Sequence, residues 1–245
     1  MSPQNDSIDV IVLAGGRGTR LAPYTTVLPK PLMPIGEMPV LEILLRRLAA
    51  AGFQRVHLAV GYLAELIEAY FRDGERFGVQ LEYLREDQPL GTAGPLAALA
   101  NPSERLLVMN GDLFTALDFR ELVAFHESSG ATATVATLER EVPIEFGVIG
   151  VDGTRIVDYD EKPTIVYDVS MGVYVFEREV VDLIPSGEQF DFPDVVHVLL
   201  ERGLPVAAYR SSDFWLDIGR REDYELAQER FVELRSELLP DEGRV

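Results

Sequence analysis

Ile8-Asp-Val-Ile-Val-Leu-Ala14 runs straight into Gly15-Gly-Arg-Gly-Thr-Arg-Leu21, an apolar stretch that stops at a cluster of glycines. A short continuous apolar run reads as a strand buried on both faces, the pattern of a central strand in a parallel sheet. The proline-punctuated loop that follows, Gly15 to Pro39, is longer than most connections in a compact domain, which points to a functional role. Beyond it, Val40, Leu41, Leu44, Leu45 and Leu48 recur at helical spacing and Gly52 supplies a stop. Strand-like segments at Arg55–Val60, Gln80–Leu84 and Arg105–Met109 then alternate with helix-like ones at Leu63–Phe71, Thr92–Ala100 and Phe119–Glu127. This β-α-β-α order predicts a parallel sheet with helices on both faces.

The second half changes character. Ala131–Leu138, Gly147–Val151, Arg155–Tyr159 and Met171–Phe176 read as strands without long helices between them, which suggests antiparallel additions to the sheet. Asp152-Gly153 is a hairpin turn signal, because this dipeptide tolerates positive φ. Helices are expected at Glu177–Ile184, Pro193–Glu201 and Arg221–Leu238, with a strand at Val206–Tyr209. The expected fold is α/β: a Rossmann-like three-layer sandwich with a mixed, mainly parallel central sheet and antiparallel additions. No repeat, low-complexity tract or linker divides the chain, so one domain is expected over residues 1–245, with 1–7 a flexible tail.

Composition narrows the function. The 245 residues carry 41 acidic and 22 basic side chains, a net charge of -19. Non-specific nucleic-acid binding needs a basic surface, and anionic membranes repel an acidic one. With no cysteine there is no disulfide, thiolate nucleophile or Cys-ligated metal. Met1–Ser7 lacks the basic and apolar regions of a signal peptide, and no apolar run approaches the ~20 residues of a membrane span. The cytoplasm is the default location. Among the 22 basic residues only two are lysines, Lys30 and Lys162, and each is followed by proline.

The glycine loop lets backbone N–H groups approach a phosphate or a base. It fails the dinucleotide fingerprint, because Leu21 stands where a third glycine belongs, and it lacks the Gly-Lys-Ser/Thr ending of a P-loop. Further on, Pro29 and Pro31 stiffen the backbone around Lys30, a way to aim a charge. Gly16-Arg-Gly-Thr-Arg20 followed by Pro29-Lys30-Pro31 resembles the signature of the sugar-1-phosphate nucleotidylyltransferase family. The resemblance extends through Glu86-Asp-Gln-Pro-Leu-Gly-Thr-Ala-Gly94, Asn110-Gly-Asp112, Glu161-Lys-Pro163 and Trp215-Leu-Asp-Ile-Gly219, in the family's order.

The resemblance implies a reaction in which a phosphate oxygen of a sugar 1-phosphate attacks the α-phosphorus of a nucleoside triphosphate and pyrophosphate leaves. The nucleophile is already an anion, so the task is in-line positioning and charge neutralisation. A lone Asp112 at a strand end is as readily a helix cap or turn residue. By the resemblance, Asp112 and Asp217 hold a catalytic Mg²⁺, and Arg20 and Lys30 contact the triphosphate and the transferring phosphoryl group. Lys162 would bind the phosphate of the sugar 1-phosphate, with Glu161, the backbone of Gly147 and the Ser170 stretch on the sugar. Leu13, Ala14, Gly15, Gly16, Gly18 and Thr19 would line the nucleotide from one side, and Glu86, Gly91 and Thr92 from the other.

Glu86 bears on the base. A carboxylate only accepts hydrogen bonds, which suits the N1–H and amine edge of guanine. The reading is therefore GTP, with dTTP, UTP, ATP and CTP as alternatives. Ser170 stands where many relatives carry a sugar-binding Asn, which leaves room for a modified hexose, heptose or cyclitol. Two other classes compete: a non-catalytic nucleotide-sugar-binding subunit, disfavoured by intact Lys30, Asp112, Lys162 and Asp217, and a glycosyltransferase, disfavoured by the paired glycine and Pro-Lys-Pro motifs. His57, His126 and His197 read as surface or packing residues, and Asp158-Tyr-Asp160 as a solvated strand end. Expected partners are the two small substrates, with no nucleic acid or membrane and room for a homo-oligomer, as in many relatives. The β-helix that some relatives append is not expected.

Overall fold

The apolar run at the start forms β1 (Ile8–Leu13), with Val10 and Val12 on one face and Ile11 on the other, all fully buried. This computed structural model describes residues 8–86 and 88–239. The expected tail at 1–7 lies outside them, as does Asp87. After β1 the loop winds through 3-10 turns at Thr19–Leu21, Tyr24–Thr26 and Lys30–Leu32. A small hairpin follows, β2 (Pro34–Ile35) with β3 (Met38–Pro39), leading into α1 (Val40–Ala50). Then come β4 (Arg55–Val60), α2 (Ala64–Phe71), β5 (Gln80–Arg85), β6 (Arg105–Asn110), β7 (Leu113–Thr115) and α3 (Phe119–Ser129). The second half comprises β8 (Ala133–Pro143), β9 (Gly147–Asp152), β10 (Arg155–Glu161), β11 (Thr164–Glu177), α4 (Phe192–Glu201), β12 (Val206–Ser211), β13 (Trp215–Asp217) and α5 (Arg221–Leu238).

The main sheet has strand order β12-β8-β11-β6-β1-β4-β5. All its ladders are parallel except the two made by β11, which runs against both β6 and β8. Period-two alternation sends Val10, Val12, Leu107 and Met109 towards α1, α2 and α3, while Ile11, Leu106 and Val108 pack against α4. The result is a helix–sheet–helix sandwich. A third apolar cluster holds α5 through Ala227 and Phe231 against Ile35, Phe114 and Ile218. Among the described residues no helix is long and apolar enough to cross a membrane.

Several expectations need correction. The helix expected at Thr92–Ala100 is only a 3-10 turn, Gly94–Ala98. Pro95 removes a backbone donor, and the Phe190 carbonyl already accepts the N–H groups of Ala93 and Gly94. The helix expected at Glu177–Ile184 is likewise a 3-10 turn, Arg178–Leu183, because β11 extends through Glu177, which pairs with Arg105. The antiparallel additions also divide differently. β8 and β12 are parallel to each other, and β9 and β10 leave the main sheet as a separate two-stranded ribbon with β10 exposed along its whole length. Asp158 and Asp160 lie on that solvated strand.

Candidate active site

At the carboxyl end of β1 the glycine loop forms one wall of a cavity of about 640 Å³. Open α/β sheets bind ligands at this edge of their strands. Leu13, Ala14, Gly15, Gly16, Gly18, Thr19 and Arg20 line it from the loop, and Glu86, Gly91 and Thr92 from the segment after β5. Lys30, Asp112 and Asp217 complete it. The structure thus brings the expected nucleotide residues and both expected metal ligands to one place.

Short local elements make the two aspartates converge. Asp112 sits between β6 and β7, and the next residue, Leu113, pairs with Asp217 in the β7–β13 ladder. The Ile218 N–H donates to the Asp112 carbonyl at 3.3 Å. Trp215 Nε1–H donates to the Met171 carbonyl at 2.8 Å and so ties β13 to the irregularity in β11 between Ser170 and Tyr174. Lys30, only 7% exposed, reaches the same point. Its ammonium contacts Asp112 Oδ2 and lies 3.1 Å from Asp217 Oδ1. Gly18, at φ +59°, allows this approach, since a Cβ there would come within 3.2 Å of Lys30 Cβ. Gly219 shows the convergence most directly. A Cβ on it would lie 2.9 Å from Arg20 Nη2, 2.9 Å from Asp217 Oδ1 and 3.1 Å from Lys30 Nζ.

Burial pushes the Asp112 carboxyl above its ordinary value; Lys30 pulls it down, and facing Asp217 raises it again. Asp112 Oδ1 is buried without a hydrogen-bond partner among the described residues. Two converging carboxylates with an orphaned oxygen fit a hard divalent cation. No cluster of three or more acidic or His ligands occurs among the described residues. Such a cation would therefore rely on these two carboxylates, water and substrate oxygens, as Mg²⁺ commonly does.

At the other end of the cavity Glu86 Oε1 accepts the Leu90 N–H at 3.2 Å. Its Oε2 fills the space that a side chain at Gly15 would need, 2.6 Å from the Cβ position. Burial pushes this carboxyl up, and the Leu90 N–H draws it partly back. Thr92 lines the cavity and is also anchored from behind. Its hydroxyl donates to Asp191 Oδ1 and accepts from the Phe192 N–H, both at 3.0 Å, so it is engaged at the start of α4.

The sugar-side residues do not line this cavity. Gly147 and Glu161 face each other at the root of the β9–β10 ribbon, where Tyr159 Oη–H donates to Glu161 Oε2 at 2.8 Å. Lys162 follows them, exposed and at φ +50°. Ser170 Oγ lies 3.1 Å from Tyr174 Oη, where the β11 register shifts. Tyr62 and Asn110 also line the cavity, beyond the residues expected from sequence to bind the nucleotide. Tyr62 N–H donates to the Gly15 carbonyl at 3.2 Å and its hydroxyl to the Thr26 carbonyl at 2.9 Å, bridging both arms of the glycine loop. A signal for it existed: Gly61-Tyr62 follows an apolar strand just as Gly15-Gly16 does.

Residues 9–233 match the family described as nucleotidyl transferase. The chain belongs to this family. It is 38% identical over 235 residues to a UTP–glucose-1-phosphate uridylyltransferase of Synechocystis sp., an alignment covering 87% of this chain and 61% of that protein. It is also 38% identical over 226 residues to a mannose-1-phosphate guanylyltransferase of Mycobacterium tuberculosis, covering 89% and 62%. The chain thus spans about three fifths of the length of these relatives. Among solved structures, HddC from Yersinia pseudotuberculosis in complex with GMP-PN superposes with a TM-score of 0.72 at 26% identity, over 91% of this chain and 99% of that one. Membership of the nucleotidyl transferase family agrees with a cavity that opens beyond the carboxyl ends of β1, β4 and β6 and gathers both basic and acidic side chains.

Proposed function

We propose that the chain transfers a nucleoside monophosphate from a nucleoside triphosphate, GTP by preference, to a sugar 1-phosphate with release of pyrophosphate. Its described residues would act as one catalytic domain. The observation that carries this reading is the convergence of Arg20, Lys30 and Asp217 over Gly219, with Asp112 beside them, at the end of the glycine loop. That arrangement suits joining two anions: the nucleophile needs no base, and the barrier lies in bringing like charges together in line.

The backbone of Gly15–Thr19 would cradle the nucleotide, while Arg20 and Lys30 offset the negative charge that accumulates at the transferring phosphoryl group. Asp112 and Asp217 would hold Mg²⁺, which supplies charge neutralisation at phosphate oxygens when bound. Gly147, Glu161, Lys162 and Ser170 would serve the sugar 1-phosphate. Glu86 favours guanine, whose N1–H and amine can both donate to its carboxylate. Uracil and thymine each present one N–H between two carbonyls, and those carbonyls would face a like-charged oxygen. Relatives equally similar to this chain are named for different nucleotides, so the preference rests on Glu86.

The test is pyrophosphate release from each nucleoside triphosphate, with Mg²⁺, against a panel of hexose, heptose and cyclitol 1-phosphates. Release with GTP and one family of sugar phosphates is expected. No release with any pair would overturn the enzymatic reading, and release confined to UTP or dTTP would overturn the base.

A further inference from the structure

We propose that Lys30 is a stand-in cation: its ammonium holds Asp112 and Asp217 together until a divalent ion takes that place, and is then freed towards the nucleotide phosphates. This rests on the reading of the two aspartates as the cation site. Lys30 Nζ contacts Asp112 Oδ2 and lies 3.1 Å from Asp217 Oδ1. An ammonium lodged between these oxygens blocks part of the space a metal would need, and two cations sharing the same carboxylates repel each other. The lysine satisfies the pair only in part. Two carboxylates meet one ammonium, and Asp112 Oδ1 stays buried with no hydrogen-bond partner among the described residues. A divalent charge matches the pair in full.

The local build lets the ammonium move without the backbone. Lys30 opens a 3-10 turn held by hydrogen bonds from the Leu32 N–H to the Pro29 carbonyl at 2.8 Å and from the Met33 N–H to the Lys30 carbonyl at 3.0 Å. Prolines on both sides restrict φ there. The flexible four-carbon stem is therefore the mobile part. Gly219 has no side chain to trap the tip, and Lys30 Nζ borders the same space as Arg20 Nη2. Cation and nucleotide are then coupled. The cation releases Lys30 to the phosphates, and the phosphates give Lys30 a new partner, so each ligand favours the other.

The test uses Mn²⁺ as probe, with free Mn²⁺ counted by electron paramagnetic resonance and no nucleotide present. Lys30→Met keeps the stem and removes the charge; it should bind Mn²⁺ on the order of tenfold more tightly than the wild type. Its melting temperature, lowered by the uncompensated carboxylates, should recover as Mn²⁺ is added. Lys30→Gln should behave alike, and failure of both variants to fold even in saturating Mn²⁺ would refute the replacement. Asp112→Asn separates the two ideas. If it leaves wild-type Mn²⁺ binding unchanged, the cation site itself is wrong and this proposal goes with it. If it abolishes binding, yet Lys30→Met binds Mn²⁺ no tighter than wild type, the stand-in role alone is wrong.

Discussion

Two carboxylates of this chain show how differently burial can be resolved. Glu86 is half-buried beside Gly15 and Gly61, with one oxygen on the Leu90 N–H and the other over the gap that the glycines leave. Burial pushes its carboxyl up, in keeping with the proposal that its remaining partner is a ligand. Glu86→Gln replaces one acceptor oxygen by an N–H donor, so it should raise KM for GTP on the order of tenfold and narrow the gap to UTP. Steady-state kinetics on both nucleotides check this; an unchanged GTP preference would remove Glu86 from base recognition. Asp9 has its partners built in. Burial alone would raise it, but the close contacts with His57 and Arg55 and the hydrogen bond from the Ser103 N–H outweigh that and hold it well below the usual carboxylate range. A folded-state value below the unfolded one stabilises the fold above about pH 4 and loses that contribution as the pH falls further. Asp9→Asn should therefore cost about 1–3 kcal/mol at pH 7. The difference from wild type should shrink below about pH 4 in urea titrations. A difference that does not change with pH would exclude a role for the Asp9 charge.

Among the elements, legibility followed burial. β1, β4 and β6 lie between helical layers, so their residues must be apolar on both faces, and runs such as Leu106–Met109 announce themselves. The glycine loop and Pro29-Lys30-Pro31 were readable for a related reason, since close approach and fixed φ demand particular residue types. β7 was not readable, and β13 only as a short apolar stretch before Asp217. Three-residue strands carry no periodicity, and only their pairing across the fold shows why Asp112 meets Asp217. The anchoring of the Thr92 hydroxyl was not readable, because its partners at the start of α4 are distant in sequence. The β9–β10 ribbon was legible as a hairpin but not as a separate sheet, because both its faces meet solvent. Ile156 and Val151 pair across it at 65% and 62% exposure. An element that buries so little contributes little to the core. Ile156→Thr should shift global unfolding by less than about 0.5 kcal/mol. Amides of 147–161 should exchange with solvent well before those of β1 and β6. Loss of more than about 2 kcal/mol on this substitution would show that the ribbon is part of the cooperative core.

For the molecule as a whole, a net charge of -19 has to be reconciled with the proposed triphosphate substrate. The cavity does not present a uniformly positive surface. Arg17, Arg20 and Lys30 line it together with Glu86, Asp112 and Asp217, so its described charged side chains balance until a divalent ion adds to them. Attraction for phosphate is thus local, while repulsion comes from the entire surface. These fields have different ranges, and salt separates them. The screening length is about 30 Å at 0.01 M and about 8 Å at 0.15 M, so an incoming nucleotide meets the whole acidic surface at low salt and mainly the cavity near physiological salt. Most sites that bind polyanions lose association rate as salt is added. Here the rate should rise, on the order of tenfold, between those two concentrations with saturating Mg²⁺. It should fall again towards 1 M, where the screening length of about 3 Å cuts into the cavity itself. Stopped-flow binding of a fluorescent GTP analogue across this series gives the curve. A rate that only decreases with salt would mean that the local cluster governs the approach from the outset and that the acidic surface lies clear of the entry path.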